Sequence, residues 1–538
     1  MTTGADIIAG KLHAAGCRHA FGIPGGEVLA LMQALDEAGI NFVLVKHENA
    51  GGFMAEGGWH ADGAPGVLLA TLGPGAANAV NVVANAWQDR VPLIFLTGCV
   101  DQGEAESYTH QVFDHQQLLR PIVKASFSAR LGALDVMMEK ALAIALDGQP
   151  GPVHIDVPIR VAEGDTQEAW SRVFQSSPVA TAPVPGPDLD TALDLFRKAE
   201  RPIAIAGVDA VNEAASAAIS EFCEAFQIPL VTSYKGKGLL DENNPLALGG
   251  AGLSPKADGL LLPLINKSDC ILLLGYDPIE MRINWRNPWD ADAPVVDITP
   301  VLRTHGMHSV RSTLRSAVQP ALDLLGAARQ PAKPSWAEGE PAAVRAELDK
   351  AFAPEASGWG PGTVFHTLRA ALPADTVATA DSGAHRILVS QIWRCPMPRQ
   401  MLQSSALCTM GCAVPLAMGH RVVEGASPVI AFVGDAGLEM CLGELSTLRD
   451  LKIPVIICVL VDTSLSLIEL KQRSSQRPNV GVDFGETDFP AVARAYGGHG
   501  VWVEDAETLH REAEEALARE GFTLLACRIE RRAYDGTF

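Results

Sequence analysis

Short apolar runs and stretches of helical period alternate along almost the whole chain. Phe42–Val45, Gly66–Thr71, Leu93–Thr97 and Val153–Val157 are runs of strand length, and Pro202–Gly207, Ile271–Gly275 and Val295–Ile298 repeat the signal. Thr376–Ala380, Val429–Val433, Val455–Val461 and Leu524–Ile529 complete it. Continuous apolar runs, rather than alternating ones, predict strands buried on both faces. Helices between them predict mainly parallel sheets covered on both sides. Two polar, Pro-rich stretches, about Glu163–Asp188 and Ala327–Ala342, read as connections. The expected fold class is therefore α/β: three doubly wound, mainly parallel-sheet domains over residues 1–165, 188–326 and 343–538.

One unit of this pattern carries chemistry. Val429–Val433 reads as a strand ended by Gly434-Asp435-Ala436-Gly437; Cys441, Leu445 and Leu448 then recur at helical spacing, and Pro454 precedes the next strand, Val455–Val461. A strand–helix–strand crossover makes the two strands parallel, so both end at one sheet edge. Asp435 closes the first strand and Asp462 the second, 27 positions later. Two carboxylates beside a helix start suit a hard divalent cation together with phosphate oxygens. Two ordinary acids at strand ends would look the same. The loop has neither the GK[ST] of a phosphate loop nor the GxGxxG of a dinucleotide fold.

In the first segment the residues after strands are informative. Phe21-Gly22-Ile23-Pro24-Gly25-Gly26-Glu27 reads as a turn before a helix. Lys46-His47-Glu48 follows one strand and Leu72–Asn78 another. Tyr108-Thr109-His110-Gln111 lies on the connection after Leu93–Thr97, where His110 is a candidate proton donor or acceptor. Each alone also fits a structural turn.

Composition narrows the partners. Hydrophobic residues make up 48% and charged residues 20% of 538 positions, as in a soluble globular protein with sizeable cores. A formal charge of −21 argues against nucleic acid or an anionic membrane, and an anionic substrate then needs local cations at its site. The ten cysteines include no CxxC pair and several sit in apolar strands, which suggests buried thiols. No apolar run approaches the ~18 residues of a membrane span. The start MTTGADIIAG has neither a basic leader nor an apolar signal core, so the expected location is cytoplasmic.

These motifs together resemble a family. FGIPGGE, KHENAGGFMAEG, TLGPGAAN and GPVHIDVP are similar to the first domain of acetolactate synthases and related thiamine-diphosphate decarboxylases. RPIAIAG and IPLVTSYKGKG resemble their central domain, and TADSGAHRI and CTMGCAVPLAMG their cofactor domain. GDA followed by VD resembles the family's diphosphate motif, usually GDG…NN, with Ala436 for Gly and Asp462 for Asn.

The resemblance implies thiamine diphosphate as cofactor and Mg2+ held by Asp435, Asp462 and the backbone carbonyl of Ser464. It implies Glu48 as the acid that shares a proton with the aminopyrimidine, a role that burial favours. Met410 corresponds to the apolar residue supporting the bent cofactor. Gly25, Gly75, Asn78, Ser382, Gly383, Ala384, His385, Cys408, Gly434, Ala436, Gly437 and Leu465 map onto the cofactor's surroundings. Gly26, Glu27 and Leu467 map onto the substrate space, with Gln111 placed to hold a substrate carbonyl or carboxylate. Each site in the family lies between two chains, which implies a homodimer at minimum, and a tetramer is common.

Finer matches point to the catabolic, flavin-independent branch: Thr109-His110-Gln111, Gly275–Glu280 with Trp285, Val461-Asp462, and Lys471-Gln472 followed by Val482–Gly485. FAD is accordingly not expected. Four positions depart from that branch. Glu27 stands where a lysine is usual, Cys408 where Gln or Gly is usual, and Arg282 and Arg286 flank Trp285 in an unmatched way. The expected activity is decarboxylation of a 2-oxo acid, pyruvate or a relative, with carboligation to a second carbonyl. A decarboxylase releasing aldehyde, a flavin-dependent oxidase and a silent homologue remain as alternatives; intact Glu48, Asp435 and Asp462 weigh against the last.

Overall fold

In a computed structural model the chain is described for residues 2–101, 103–174, 181–329, 335–356 and 358–538. Parts of both Pro-rich connections, 175–180 and 330–334, lie outside the described residues. Three six-stranded sheets account for the architecture, and every pairing within them is parallel. A two-stranded antiparallel ribbon, Thr2–Thr3 with Asp165–Thr166, closes the first domain.

Numbered in chain order within each sheet, the first sheet comprises His19–Ile23, Asn41–Leu44, Gly66–Ala70, Leu93–Cys99, Ala125–Ser128 and Val153–Pro158, in spatial order 2-1-3-4-6-5. The third comprises Val377–Ala380, Met401–Gln403, Val429–Gly434, Ile456–Val461, His499–Val503 and Thr523–Arg528, in the same order. The central sheet comprises Pro202–Ala206, Leu230–Thr232, Ala247–Gly250, Cys270–Leu274, Val295–Thr299 and Ser312–Arg315, in order 3-2-1-4-5-6. A ligand crevice in such sheets opens where the strand order reverses, beyond the carboxyl ends of the strands. That point falls between strands 1 and 3 of the outer sheets and between strands 1 and 4 of the central one.

Two expectations about elements change. Phe21–Ile23 is not turn but the end of strand His19–Ile23. Gly22 and His19 interrupt the apolar signal there, and pairing with both neighbouring strands recruits the segment. The helix after Val429–Gly434 is broken into Asp435–Glu439 and Glu444–Leu451, with Cys441, Leu445 and Leu448 still facing the core.

The first and third domains pack through two helices, Glu48–Asp62 and Ala413–Glu424, which share one apolar core around Phe53, Met54, Val414 and Leu416. Glycines set how closely they approach. A Cβ on Gly57 would lie 2.2 Å from the Leu416 carbonyl oxygen, and one on Gly419 1.9 Å from that of Met54. The backbone N–H groups of Lys46 and His47 donate to Glu444 Oε1 at 2.9 and 3.1 Å, fixing the start of the first helix against the third domain. Where all three domains meet, buried Lys235 lies 3.3 Å from Asp89 and 3.7 Å from Glu56. Eight of the ten cysteines are buried, and all ten are free thiols. Among the described residues no helix is long and apolar enough to cross a membrane.

Candidate active site

An apolar-walled cavity of about 340 Å3 opens at the third domain's switch point. Its floor is the turn after strand Val377–Ala380 (Ser382, Gly383, Ala384, His385) and the turn after strand Val429–Gly434 (Gly434, Asp435, Ala436, Gly437). Asp462, Ser464 and Leu465 follow the next strand, and Cys408, Met410 and Leu467 form the walls. Every position the sequence assigns to the cofactor side of the third domain lines this one cavity.

The strand ends explain the geometry. Buried Asp381 accepts from the N–H groups of Gly411 and Cys412 at 2.9 and 3.0 Å, pinning the Met410 turn against strand Val377–Ala380. Asp435 Oδ2 accepts from the N–H groups of Asp462 and Thr463 at 3.1 and 2.7 Å, so the two acid-bearing turns are bonded to each other. Asp462 Oδ1 accepts from Ser464 N–H at 3.2 Å, and the Ser466 hydroxyl donates to Oδ2. Burial raises Asp435, with bonds from Thr463, Ala436 and Asp462 N–H groups opposing it. Burial also pushes Asp462 up to about 7. Two crowded carboxylates held above their ordinary range are what a cation site looks like before its cation neutralises them.

The cavity also presents polar groups that nothing in the described protein uses: the Ser382 hydroxyl, His385 Nε2 and the Tyr534 hydroxyl are buried and unpartnered. Burial brings His385 down to about 3, so its ring is neutral. Carboxylates for a cation and free polar groups for phosphate oxygens together fit a diphosphate–metal group.

Two guanidinium groups stand at the rim. Arg386 donates to the Ser404 carbonyl at 2.5 Å and to Cys408 Sγ at 3.2 Å. Arg282 reaches in from the central domain and has no ion-pair partner among the described residues. Burial and the neighbouring Arg386 charge lower its pKa. Arg286, by contrast, is exposed and does not line the cavity. Arg386, Ser466, Lys471 and Tyr534 were not assigned from the sequence. Tyr534 comes from the C-terminal tail, where no periodicity signals a role, and only the fold returns it to the site.

No first-domain residue lines this cavity. The first-domain set gathers instead at that domain's own switch point. Thr71 Oγ1 donates to Glu27 Oε2 at 2.7 Å, joining the turns after strands 1 and 3. Asn78 Nδ2 donates to Glu48 Oε2 at 3.0 Å, and Gly75 lies beside the other oxygen, Oε1. Glu48 is 5% exposed at the start of its helix. Gly25 packs on Thr71, Gly26 is open, and His110 and Gln111 sit on an exposed loop whose Gln111 carbonyl lies against Gly73. The chain thus gathers its candidate residues in two clusters on two sheet edges.

Comparison with known proteins identifies the family. Three family models match: thiamine pyrophosphate enzyme, N-terminal TPP binding domain, over residues 2–118; the central domain over 189–325; and the C-terminal TPP binding domain over 381–527. The chain is 30% identical to the acetolactate synthase large subunit of Parasynechococcus marenigrum, over 98% of this chain and 88% of that one. It is 29% identical to a probable acetolactate synthase large subunit of Methanocaldococcus jannaschii, over 96% and 90%. It is 27% identical to an acetolactate synthase of Bacillus subtilis, over 96% and 91%. With matching models on all three domains and relatives aligned end to end, the chain belongs to the thiamine-pyrophosphate-dependent acetolactate synthase family.

Proposed function

We propose that the protein condenses two 2-oxo acids, pyruvate or close relatives, in a site assembled from the third domain of one copy and the first domain of another. The observation that carries this reading is Arg282. It is a partly buried cation without an ion-pair partner among the described residues, on the rim of a cavity whose floor suits thiamine diphosphate and Mg2+.

Asp435, Asp462 and the Ser464 carbonyl would hold the metal, and Ser382 and His385 would bond the diphosphate. Met410 would support the bound cofactor, while Gly25, Gly75, Cys408 and Leu465 would shape its walls. Bound thiamine diphosphate supplies the carbon nucleophile and the electron sink that decarboxylation needs. The protein's own work is placement. Asn78 holds one oxygen of Glu48 and leaves the other free to share a proton with the cofactor ring. Arg282 and Arg386 attract the carboxylates that an overall charge of −21 would otherwise repel. Glu27, held by Thr71, borders the acceptor space with Gly26 and Leu467. His110 and Gln111 are placed on a loop that serves the substrate's carbonyl. No flavin takes part, and the assembly is a homodimer or a dimer of dimers.

Chromatography of products from pyruvate and a panel of 2-oxo acids, with thiamine diphosphate and Mg2+, tests the reading. A two-acid condensate is expected from the wild type. Arg282→Met should lower the ratio of condensate to free aldehyde by about tenfold or more, because a water-excluded carboxylate loses its partner, while decarboxylation persists. Glu27→Lys should move the same ratio. An unchanged product distribution in both variants removes Arg282 and Glu27 from the acceptor site.

A further inference from the structure

Behind the first-domain half-site lies a buried group of side chains that the reading above does not use: His115, His154 and Asp156, at 4%, 0% and 8% exposure. Their ligand atoms lie within 4.8 Å of one another, the spacing of a metal centre. Hydrogen bonding decides otherwise.

The Gly73 N–H can only donate, and it donates to His115 Nε2 at 3.1 Å. That nitrogen therefore carries the lone pair, and the proton on Nδ1 is given to Asp156 Oδ1 at 2.8 Å. Thr97 Oγ1 donates to the same carboxylate oxygen at 2.7 Å, so it accepts from His154 Nε2–H at 2.8 Å. His154 Nδ1 is left to accept from the Ser126 hydroxyl at 2.7 Å. Gln116 donates to Asp156 Oδ2 at 3.3 Å. Every ring nitrogen is committed, and a cation could enter only by breaking these bonds.

The chain of bonds ends at one backbone position. Gly73 has φ +66° and opens the short helix Pro74–Asn78. A Cβ there would lie 2.4 Å from the Gln111 carbonyl oxygen, so this glycine is wedged between the loop of His110 and Gln111 and the ring of His115. Asn78, at the other end of the same short helix, grips Glu48. Strand Val153–Pro158 carries Asp156, and through His115 it fixes the turn that orients Glu48.

We propose that His115 is a positioning residue for the reaction: as a neutral ring anchored on Asp156, it holds the Gly73 amide and thereby sets Asn78 against Glu48. This rests on the reading of Glu48 as the group that activates the cofactor. His115 is buried and does not line the third-domain cavity.

Two variants separate positioning from mere satisfaction of a buried carboxylate. His115→Asn keeps a donor for Asp156 but has no acceptor at the Nε2 position. His115→Gln keeps an acceptor reaching Gly73. Hydrogen–deuterium exchange is read on the cofactor-free protein by mass spectrometry of the peptide covering 71–78. Loss of one net hydrogen bond should speed exchange there about tenfold in His115→Asn, with His115→Gln within about threefold of wild type. Wild-type exchange in His115→Asn overturns the proposal, as does stoichiometric zinc uptake by the wild type that His115→Asn abolishes.

Deuterium exchange at C2 of bound thiamine diphosphate supplies the second readout, with Glu48→Gln as reference. If Glu48→Gln slows it, His115→Asn should slow it by about tenfold or more and His115→Gln should restore it; a fast His115→Asn then overturns the proposal. If Glu48→Gln leaves it fast, the reading of Glu48 itself has failed, and exchange at 71–78 alone decides whether His115 holds the turn.

Discussion

Burial pushes the Asp462 carboxyl up to about 7; the Ser466 hydrogen bond opposes this and the charge of Asp435 adds to it. A divalent cation requires the ionised form, so below that pH binding must expel a proton. Mg2+ affinity, titrated calorimetrically with thiamine diphosphate, should therefore fall about tenfold per unit between roughly pH 7 and 5.5. Asp462→Asn should flatten that slope; an unaltered slope would place the titrating group elsewhere. For the metal-free protein the sign runs the other way. The folded-state value lies above the ordinary ~3.9, so the stability this group contributes is full below about pH 4 and is lost as pH rises through about 7. Asp435→Ala should abolish tight cofactor binding while the subunit still folds, read as a lost calorimetric signal with an unchanged melting cooperativity. Asp435 and Asp462 were singled out in the sequence by residue type and spacing, and Glu48 by the family resemblance. Tyr534 was not, because a residue in an aperiodic tail acquires its neighbours only through folding.

Among the elements, the long buried strands were legible because a continuous apolar run has no other comfortable place than the middle of a sheet. Short strands were not. Leu230–Thr232, Ala247–Gly250, Ser312–Arg315 and Met401–Gln403 span three or four residues, too few to display a period. Their conformation is imposed by the neighbours they pair with. The contact of helix Glu48–Asp62 with helix Ala413–Glu424 belongs to the same class. The glycines at 57 and 419 are visible in the sequence, but that they face each other's helix is a tertiary fact. A Cβ on Gly419 would meet backbone rather than a flexible side-chain end, so no rotamer change relieves it. Gly419→Ala should cost about 1–3 kcal/mol in urea unfolding, typical of an overpacked contact. It should also weaken activation of the cofactor, since Glu48 opens the displaced helix. Unchanged stability would mean that the helices can separate freely.

At the scale of the whole molecule, one sheet order occurs twice, and each copy gathers a cluster of candidate residues at its switch point. If, as proposed, the two clusters are halves of one site, a second copy is needed to complete it. Mixing Glu48→Gln subunits with Asp435→Ala subunits tests this. If sites form between chains, exchange of subunits creates one intact site per heterodimer, and activity should recover to a substantial fraction of wild type. No recovery after verified exchange would put both halves of a site in one chain. The central domain has a different order and a filled crevice. Asp209 and Asp277 follow strands 1 and 4 by three residues each, and Arg303 reaches both at 3.0 and 3.3 Å. Arg90 of the first domain donates to Asp277 at 2.8 Å, and Gln149 bonds both acids. A dinucleotide diphosphate there would meet two carboxylates and displace an interdomain ion pair. The purified protein should therefore show no stoichiometric band near ~450 nm, the absorbance of an oxidised flavin cofactor; such a band would overturn this account of the crevice.

The sequence by itself determined the fold class, the parallel character of the sheets and the acid-bearing turns. All of these depend on local periodicity, strand-end chemistry and the fixed hand of crossovers, which neighbouring residues in the chain specify. Only the tertiary structure decided that Arg282 enters the third domain's cavity while Arg286, four residues on, does not. It alone decided that His115 reaches across 42 positions to the Gly73 amide, and that the two clusters of candidate residues stand apart. Such juxtapositions depend on how sheets and helices pack, a property of surfaces that no stretch of sequence contains.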